Sequence, residues 1–266
     1  MLIAALLVAS FFVENALAES APDIYVDGEI IDDGGMSYIE NGTTFVPLRA
    51  VSVALGADSV KWEKGYAHVT APGLELTAEA GQNYFTANGR YLYVKAAISI
   101  QNGRMMLPAR LLCRAFGASI KWNRADKEIY ITTGETSIES GDSFYDENDL
   151  YWLSRIIQAE ASGESLEGKI AVGNVVLNRV QSPFFPDSVY DVIFDKRYGI
   201  QFTPAYSGAI KRAPSDESEA AAKLALEGTD IAGASLYFVA SSVAASSWMG
   251  KNRQYFTQIG NHCFYT

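Results

Sequence analysis

An internal repeat limits the fold of this chain more than any other feature. Pro47-Leu48-Arg49-Ala50-Val51-Ser52-Val53-Ala54-Leu55-Gly56-Ala57 recurs as Pro108-Ala109-Arg110-Leu111-Leu112-Cys113-Arg114-Ala115-Phe116-Gly117-Ala118. The prolines are 108 − 47 = 61 residues apart, and Trp62 and Trp122 are 122 − 62 = 60 apart, so the second copy has lost one residue. Each copy reads as a strand ending in Val-Pro or Leu-Pro, then a short helix, then a Lys-Trp strand. The helix stops at a glycine able to take the left-handed C-terminal conformation. Glu128–Thr132 alternates apolar and polar, the period of a strand. Asn41-Gly42, Asn88-Gly89 and Asn102-Gly103 are tight hairpin turns by composition. Residues 23–133 therefore form a repeated α+β module with antiparallel strands.

The chain changes character after Thr133. Thr133-Gly134-Glu135-Thr136-Ser137-Ile138-Glu139-Ser140-Gly141-Asp142-Ser143 is polar, Gly/Ser-rich and aperiodic, so 134–147 reads as a linker about which the two halves move. From 148 to 266 the period becomes helical. Helices are predicted over 148–161, 166–181, 187–194 and 216–227, and 236–240 is the best strand candidate. The fold class is α+β, with a mainly helical second domain.

With 266 residues, 48% apolar and 20% charged, the chain has material for two cores. Its net charge of −10 is spread evenly: 15 acids against 11 bases in 19–140, 15 against 10 in 141–266, and Glu14. No basic stripe exists, so nucleic acid is excluded as a partner. Leu2–Val13 is an apolar run followed by Ala16-Leu17-Ala18, the pattern of an export signal cleaved after residue 18, although no Lys or Arg precedes it. No other stretch is long enough to span a membrane, so the expected product is secreted, outside the cytoplasmic membrane. Cys113 and Cys263 read as buried free thiols.

One acid stands where an acid is costly. In Gln158-Ala159-Glu160-Ala161-Ser162-Gly163-Glu164, Glu160 falls on the inward stripe set by Leu150, Leu153, Ile157 and Ala161. A carboxyl against an apolar wall has its charged form desolvated and its pKa raised, which suits a general acid near neutral pH. Gly163 offers a sharp turn behind it. His262 and Cys263 are adjacent in a strand-like segment and point to opposite faces, so they cannot act as a pair. Two histidines cannot supply a copper or zinc centre, and no metal or other cofactor is implied.

Five further segments follow in order: Glu164–Val180, Phe185–Ile193, Gln201-Phe202-Thr203, Ala234–Phe238 and Ile259–Phe264. Together they resemble the SleB-type cell wall hydrolases, the spore cortex-lytic enzymes. That resemblance implies a small lysozyme-like domain over 148–266 that cuts peptidoglycan glycan strands at the MurNAc–GlcNAc β-1,4 bond. Glu160 matches the family's catalytic glutamate. The resemblance favours a lytic transglycosylase with a single acid over a muramidase, which would draw a second carboxylate from Glu164, Glu167, Asp191 or Asp195. A non-catalytic wall-binding protein is the other reading. Gln201, Thr203, Tyr237, Trp248 and Glu164 are the candidate substrate contacts. Glu164 also has a bracing role open to it, and Asp191 and Asp195 read as surface residues. Val239-Ala240 departs from the Asn-Pro that many members carry. The first half resembles the copper amine oxidase N-terminal-like module. Oxidase chemistry does not follow, because Asn83-Tyr84-Phe85 lacks the required acid. The module reads as an attachment or spacing domain, with Trp62, Trp122, Tyr66 and Tyr91 as candidate exposed rings.

Overall fold

A computed structural model describes residues 21–197 and 199–266. The expected export signal, 1–18, lies outside the described residues. The first repeat begins with β1 (Asp23–Val26) and β2 (Glu29–Ile30). Hairpin β3 (Tyr38–Glu40) and β4 (Thr43–Pro47) follows, then α1 (Leu48–Ala54), β5 (Ser59–Glu63) and β6 (Tyr66–Ala71). Three strands, β7 (Leu74–Glu79), β8 (Tyr84–Ala87) and β9 (Arg90–Tyr93), extend its sheet to the order β5-β6-β7-β8-β9. The second repeat supplies β10 (Ser99–Gln101), β11 (Arg104–Pro108), α2 (Ala109–Ala115), β12 (Ser119–Asn123) and β13 (Glu128–Thr132). β13 pairs in parallel with β1, giving the order β12-β13-β1-β2.

The repeats meet as equivalents. Their hairpins join through β4 and β11, antiparallel, with Val46 opposite Leu107, Pro47 opposite Met106 and Phe45 opposite Pro108. Val46 and Leu107 are themselves 61 residues apart, so the local two-fold axis passes between them. Asn41 and Asn102 both take left-handed backbone, φ 49° and 47°, before Gly42 and Gly103, as two-residue hairpin turns require. Both repeats close around one apolar core that includes Phe45, Val46, Val51, Leu107, Leu112 and Cys113.

The second half is built on a helical hairpin. A single turn, α3 (Gly141–Phe144), precedes α4 (Glu147–Ala161) and α5 (Leu166–Gln181). Asp146 caps α4 by accepting from the Asn148 and Asp149 amides, and Ser165 caps α5 through the Gly168 amide. Short helices α6 (Val189–Ile193) and α7 (Thr203–Ser207) lead to α8 (Asp216–Leu226). α8 packs against both α4 and α5, burying Ile157, Val172, Val176, Ala221, Leu224 and Ala225. β14 (Tyr237–Ala240), α9 (Trp248–Asn252), β15 (Tyr255–Ile259) and β16 (His262–Tyr265) finish the chain, with sheet order β14-β16-β15. Phe238 and Phe264 turn one sheet face toward α5, and Cys263 and Tyr265 turn the other toward Ala244 and Met249. His262 and Cys263 therefore do face apart. Among the described residues no helix is long and apolar enough to cross a membrane.

The segment read as a hinge is packed instead. Ile138 is buried in the module core, and its amide donates to the Ala115 carbonyl at 3.0 Å. Gly117 has φ +68°, and a Cβ there would stand 1.7 Å from the Thr136 carbonyl oxygen, so the segment lies directly on the end of α2. Beyond it, one buried carboxylate joins the halves. Glu227, at the end of α8, accepts two hydrogen bonds from Arg90 of β9 (2.6 and 2.7 Å), one from Arg114 (2.7 Å) and one from Tyr145 (2.8 Å). Burial alone would raise its pKa; these bonds outweigh burial and hold it below the usual range. Tyr84, Tyr91 and Tyr93 lie against the helical core beside it. Ile138 and Tyr145, apolar residues inside a polar stretch, are both buried and are the physical reason that the segment packs.

Removing Glu227 strands a buried guanidinium, which costs about 3–5 kcal/mol. Glu227→Ala is expected to lower the melting temperature and to split thermal unfolding into two transitions by calorimetry. A single unshifted transition would contradict this role.

Candidate active site

Glu160 sits one residue from the end of α4, half-buried, with Ile156, Ile157 and Ala161 buried around it. Burial alone pushes its pKa up to about 7. Among the described residues its carboxyl has no hydrogen-bond donor or cation against it. Such a group keeps a large share of its proton at neutral pH, where an ordinary carboxyl has lost it. Gly163 is not in the left-handed region, and a Cβ there would meet nothing within 4 Å, so the turn behind Glu160 does not depend on it.

None of the candidate second acids acts on Glu160 electrostatically. Glu164 is turned to the β15–β16 hairpin, where Asn261 donates its amide at 3.0 Å and its Nδ2 at 2.9 Å. The Asn261 amide is the main cause of its lowered pKa. Gly260, φ +53°, lets the backbone pass: a Cβ there would fall 1.9 Å from Glu164 Oε2. With both oxygens engaged, Glu164 braces the turn, a position at odds with the expected substrate contact. Glu167 accepts from the Tyr93 hydroxyl at 3.4 Å. Asp191 is exposed and accepts from Ser188, whose hydroxyl caps α6. Asp195, read as a surface residue, is 8% exposed and clasped by Arg197, which lowers its pKa.

The other candidates lie near two arginines that sequence reading did not single out. Arg179 on α5 is buried among the rings of Phe185, Phe202 and Tyr237, at 4.9, 5.1 and 5.5 Å. Its Nε donates to the Leu236 carbonyl at 2.7 Å and its Nη2 reaches Gln201 Oε1 at 3.4 Å, while Nη1 is buried without a partner. Burial lowers its pKa to about 10. Arg253 donates to the Tyr237 hydroxyl at 2.9 Å and lies 5.1 Å from the Trp248 ring. The structure thus links Gln201, Tyr237 and Trp248 through Arg179 and Arg253. Thr203 opens α7 and is exposed. Arg179 had a signal in the sequence, because it extends the Val172–Val175–Val176 stripe just as Glu160 extends its own. His262 is neutral in character: burial lowers its pKa despite Glu164 nearby, and its Nδ1 is buried without a partner.

Comparison with known proteins finds relatives of both halves. Residues 163–265 match the Cell Wall Hydrolase family model, and residues 25–131 match the Copper amine oxidase N-terminal domain model. The second half is thus similar to the cell wall hydrolase family, and the first to the copper amine oxidase N-terminal family. The family match begins three residues after Glu160. A spore cortex-lytic enzyme of Oceanobacillus iheyensis is 37% identical over 132 residues, 50% of this chain and 46% of that protein. One from Bacillus subtilis is 35% identical over 120 residues, 45% of this chain and 38% of that protein. This chain therefore spans less than half the length of these curated relatives. The catalytic domain of the germination-specific lytic transglycosylase SleB from Bacillus anthracis is 32% identical, covering 48% of this chain and 100% of that domain, with a TM-score of 0.42.

A carboxyl held at about 7 when folded and near 4.5 when unfolded binds more protons in the folded state between those pH values. Its contribution to stability is present below pH 4.5 and lost as pH rises through 7. Glu160→Gln removes that loss. The variant is expected to match the parent at pH 4 and to exceed it by on the order of 3 kcal/mol above pH 8, read by denaturant unfolding at both pH values. Equal stabilities at pH 8 would mean that the carboxyl is not desolvated.

Proposed function

We propose that this chain is an exported enzyme that cleaves the MurNAc–GlcNAc β-1,4 bond of peptidoglycan as a lytic transglycosylase, with Glu160 as its catalytic acid. The observation that carries the reading is the lone, desolvated Glu160 carboxyl, pushed up to about 7 with no carboxylate acting on it. Glycosidic cleavage needs a proton on the leaving oxygen and an acceptor for the oxocarbenium-like carbon. A protonated Glu160 delivers the first. In the single-acid route the muramyl 6-hydroxyl is the second. The C1–O4 bond breaks as Glu160 protonates O4, the 6-oxygen bonds to C1, and its proton passes back to the Glu160 carboxylate. The product is a 1,6-anhydro-muramyl end, no water is consumed, and the acid is regenerated.

A muramidase would need a second carboxylate beside the same bond. The engagement of Glu164 by Asn261 and of Asp195 by Arg197 argues against either in that role. Gln201, Tyr237 and Trp248, linked by the two arginines, offer a surface for N-acetyl groups, hydroxyls and sugar faces, and exposed Thr203 is available beside Phe202. Spore cortex is the favoured wall, because the named relatives are spore cortex-lytic enzymes.

Muropeptides released from purified cortex and vegetative peptidoglycan, analysed by mass spectrometry, are expected to carry anhydro-muramyl ends. Glu160→Gln is expected to reduce their release at least a thousandfold. Reducing ends would indicate a muramidase, and undiminished cleavage by the variant would remove Glu160 from the role. The catalytic acid must hold its proton, so kcat/KM is expected to fall tenfold per pH unit above about 7. A rate that is flat to pH 9 would contradict the assignment.

A further inference from the structure

The two-fold symmetry of the repeat gives each copy the same groove. In each, an Asn-Gly hairpin tip of one repeat reaches over the Pro-x-Arg helix start and Lys-Trp strand of the other. The first groove, about 310 Å³, is walled by Arg49, Trp62 and Gly103. The second, about 610 Å³, is walled by Arg110, Trp122 and Gly42, the equivalent positions. Duplication predicts equal grooves, yet one is half the size of the other, and the residues that differ explain why.

Arg104 enters the first groove, its Nη1 donating to the Asp33 carbonyl at 2.8 Å, and its guanidinium lies so close to Gly34 that a Cβ there would stand 2.4 Å away. Asp32 and Asp33 line the same groove, beside Arg49 and Lys61. Sixty-one residues on or back, the second copy has Thr43 in place of Arg104, and Tyr93 and Val94 in place of Asp32 and Asp33. Lys95 follows. The second groove is therefore unplugged, and Lys95 and Arg110 line it with a single acid, Glu40. Lys95 and Arg110 are both exposed, and among the described residues neither makes an ion pair. In a chain of net charge −10, two free cations beside an exposed Trp face form a local exception.

This groove also continues. Tyr93, Lys95 and Leu111 line a second concavity of about 650 Å³ between the two halves, which extends to Glu167 at the start of α5, seven residues after Glu160. The ion pairs of Glu227 hold its walls together.

We propose that the groove of the second repeat is a binding site for a glycan strand bearing carboxylates. One sugar ring stacks on Trp122, and Arg110 and Lys95 take a carboxylate of a substituent. An indole presents a flat apolar face, and a guanidinium fork matches a carboxylate bidentately. The site feeds the strand along the interdomain crevice toward the α4–α5 turn. The choice of peptidoglycan as the strand rests on the function proposed above; the site itself rests on the divergence of the two grooves.

The test separates binding from cleavage. The full chain carrying Glu160→Gln is sedimented with purified peptidoglycan, and the apparent Kd is compared with Trp122→Ala, Trp62→Ala and Thr43→Arg added singly. Thr43→Arg copies the plug of the first groove and leaves the Trp in place. Trp122→Ala and Thr43→Arg are each expected to weaken binding at least tenfold, and Trp62→Ala less than twofold. Amidating the wall carboxylates is expected to weaken parent binding by a similar factor. In the Glu160 background, cleavage of short soluble glycans by Trp122→Ala is expected to stay within twofold of the parent, so loss of wall binding alone leaves the catalytic assignment standing. Unchanged binding by Trp122→Ala and Thr43→Arg, or an equal loss with Trp62→Ala, would overturn the proposal.

Discussion

Glu227 is the group on which the relation of the two halves depends. Its carboxylate is 3% exposed and shared by two arginines and a tyrosine from outside the helical domain. Removing such a charge from water costs several kcal/mol, and the cost is offset only if every lone pair finds a donor in good geometry. Four hydrogen bonds meet that condition here. The directional demand of the pair matters more than its net energy: Arg90 stands on β9 and Arg114 on α2, so satisfying Glu227 fixes both elements against α8 at once. Phe144, whose ring centre lies 3.3 Å from the Arg90 guanidinium carbon, closes the node.

The helical domain also holds two charges that are not satisfied in this way. Glu160 and Arg179 both continue an apolar helix stripe, and both have pKa values moved toward neutrality by burial, to about 7 and about 10. A structural carboxylate gathers partners, as Glu227 and Glu164 do, and its pKa falls. Glu160 gathers none and its pKa rises. That opposition within one domain sets the acid proposed for proton transfer apart from the acids that brace the fold. Arg179 is intermediate: its Nε is bonded, its faces are covered by rings, and its Nη1 is left over.

Much of this was legible in the residues, for identifiable reasons. The helices over 148–161, 166–181 and 216–227 are found within one residue at each end, because apolar stripes and Ser or Asp caps mark them locally. The strand pairing of the repeats follows from the two Asn-Gly turns. The inward placement of Glu160 follows from its spacing to Leu153 and Ile157. What was not legible depends on distant partners. The bonds from Asn261 to Glu164 span 97 residues and those from Arg90 to Glu227 span 137, and no periodicity records them. The segment 134–147 misleads because Gly and Ser composition describes backbone freedom, whereas Ile138 and Tyr145 decide where the chain packs.

The repeat adds a constraint that neither copy shows alone. A two-fold pair of hairpins must present the same face twice, so any difference between the faces has arisen in side chains on a shared backbone. In the first copy the substitutions close a groove with an arginine and line it with Asp32 and Asp33. In the second, Thr43, Tyr93 and Val94 replace that arginine and those two acids, and Glu40 is the one acid in the lining. Stability does not require that asymmetry, because both copies bury the same core positions around Val46 and Leu107. The open groove is also the one whose wall, through Tyr93, is bonded to α5; burial raises the Tyr93 pKa to about 12, so its hydroxyl stays a donor to Glu167 at any physiological pH. The divergence therefore lies on the side of the module that faces the helical half, where the two concavities share Tyr93, Lys95 and Leu111.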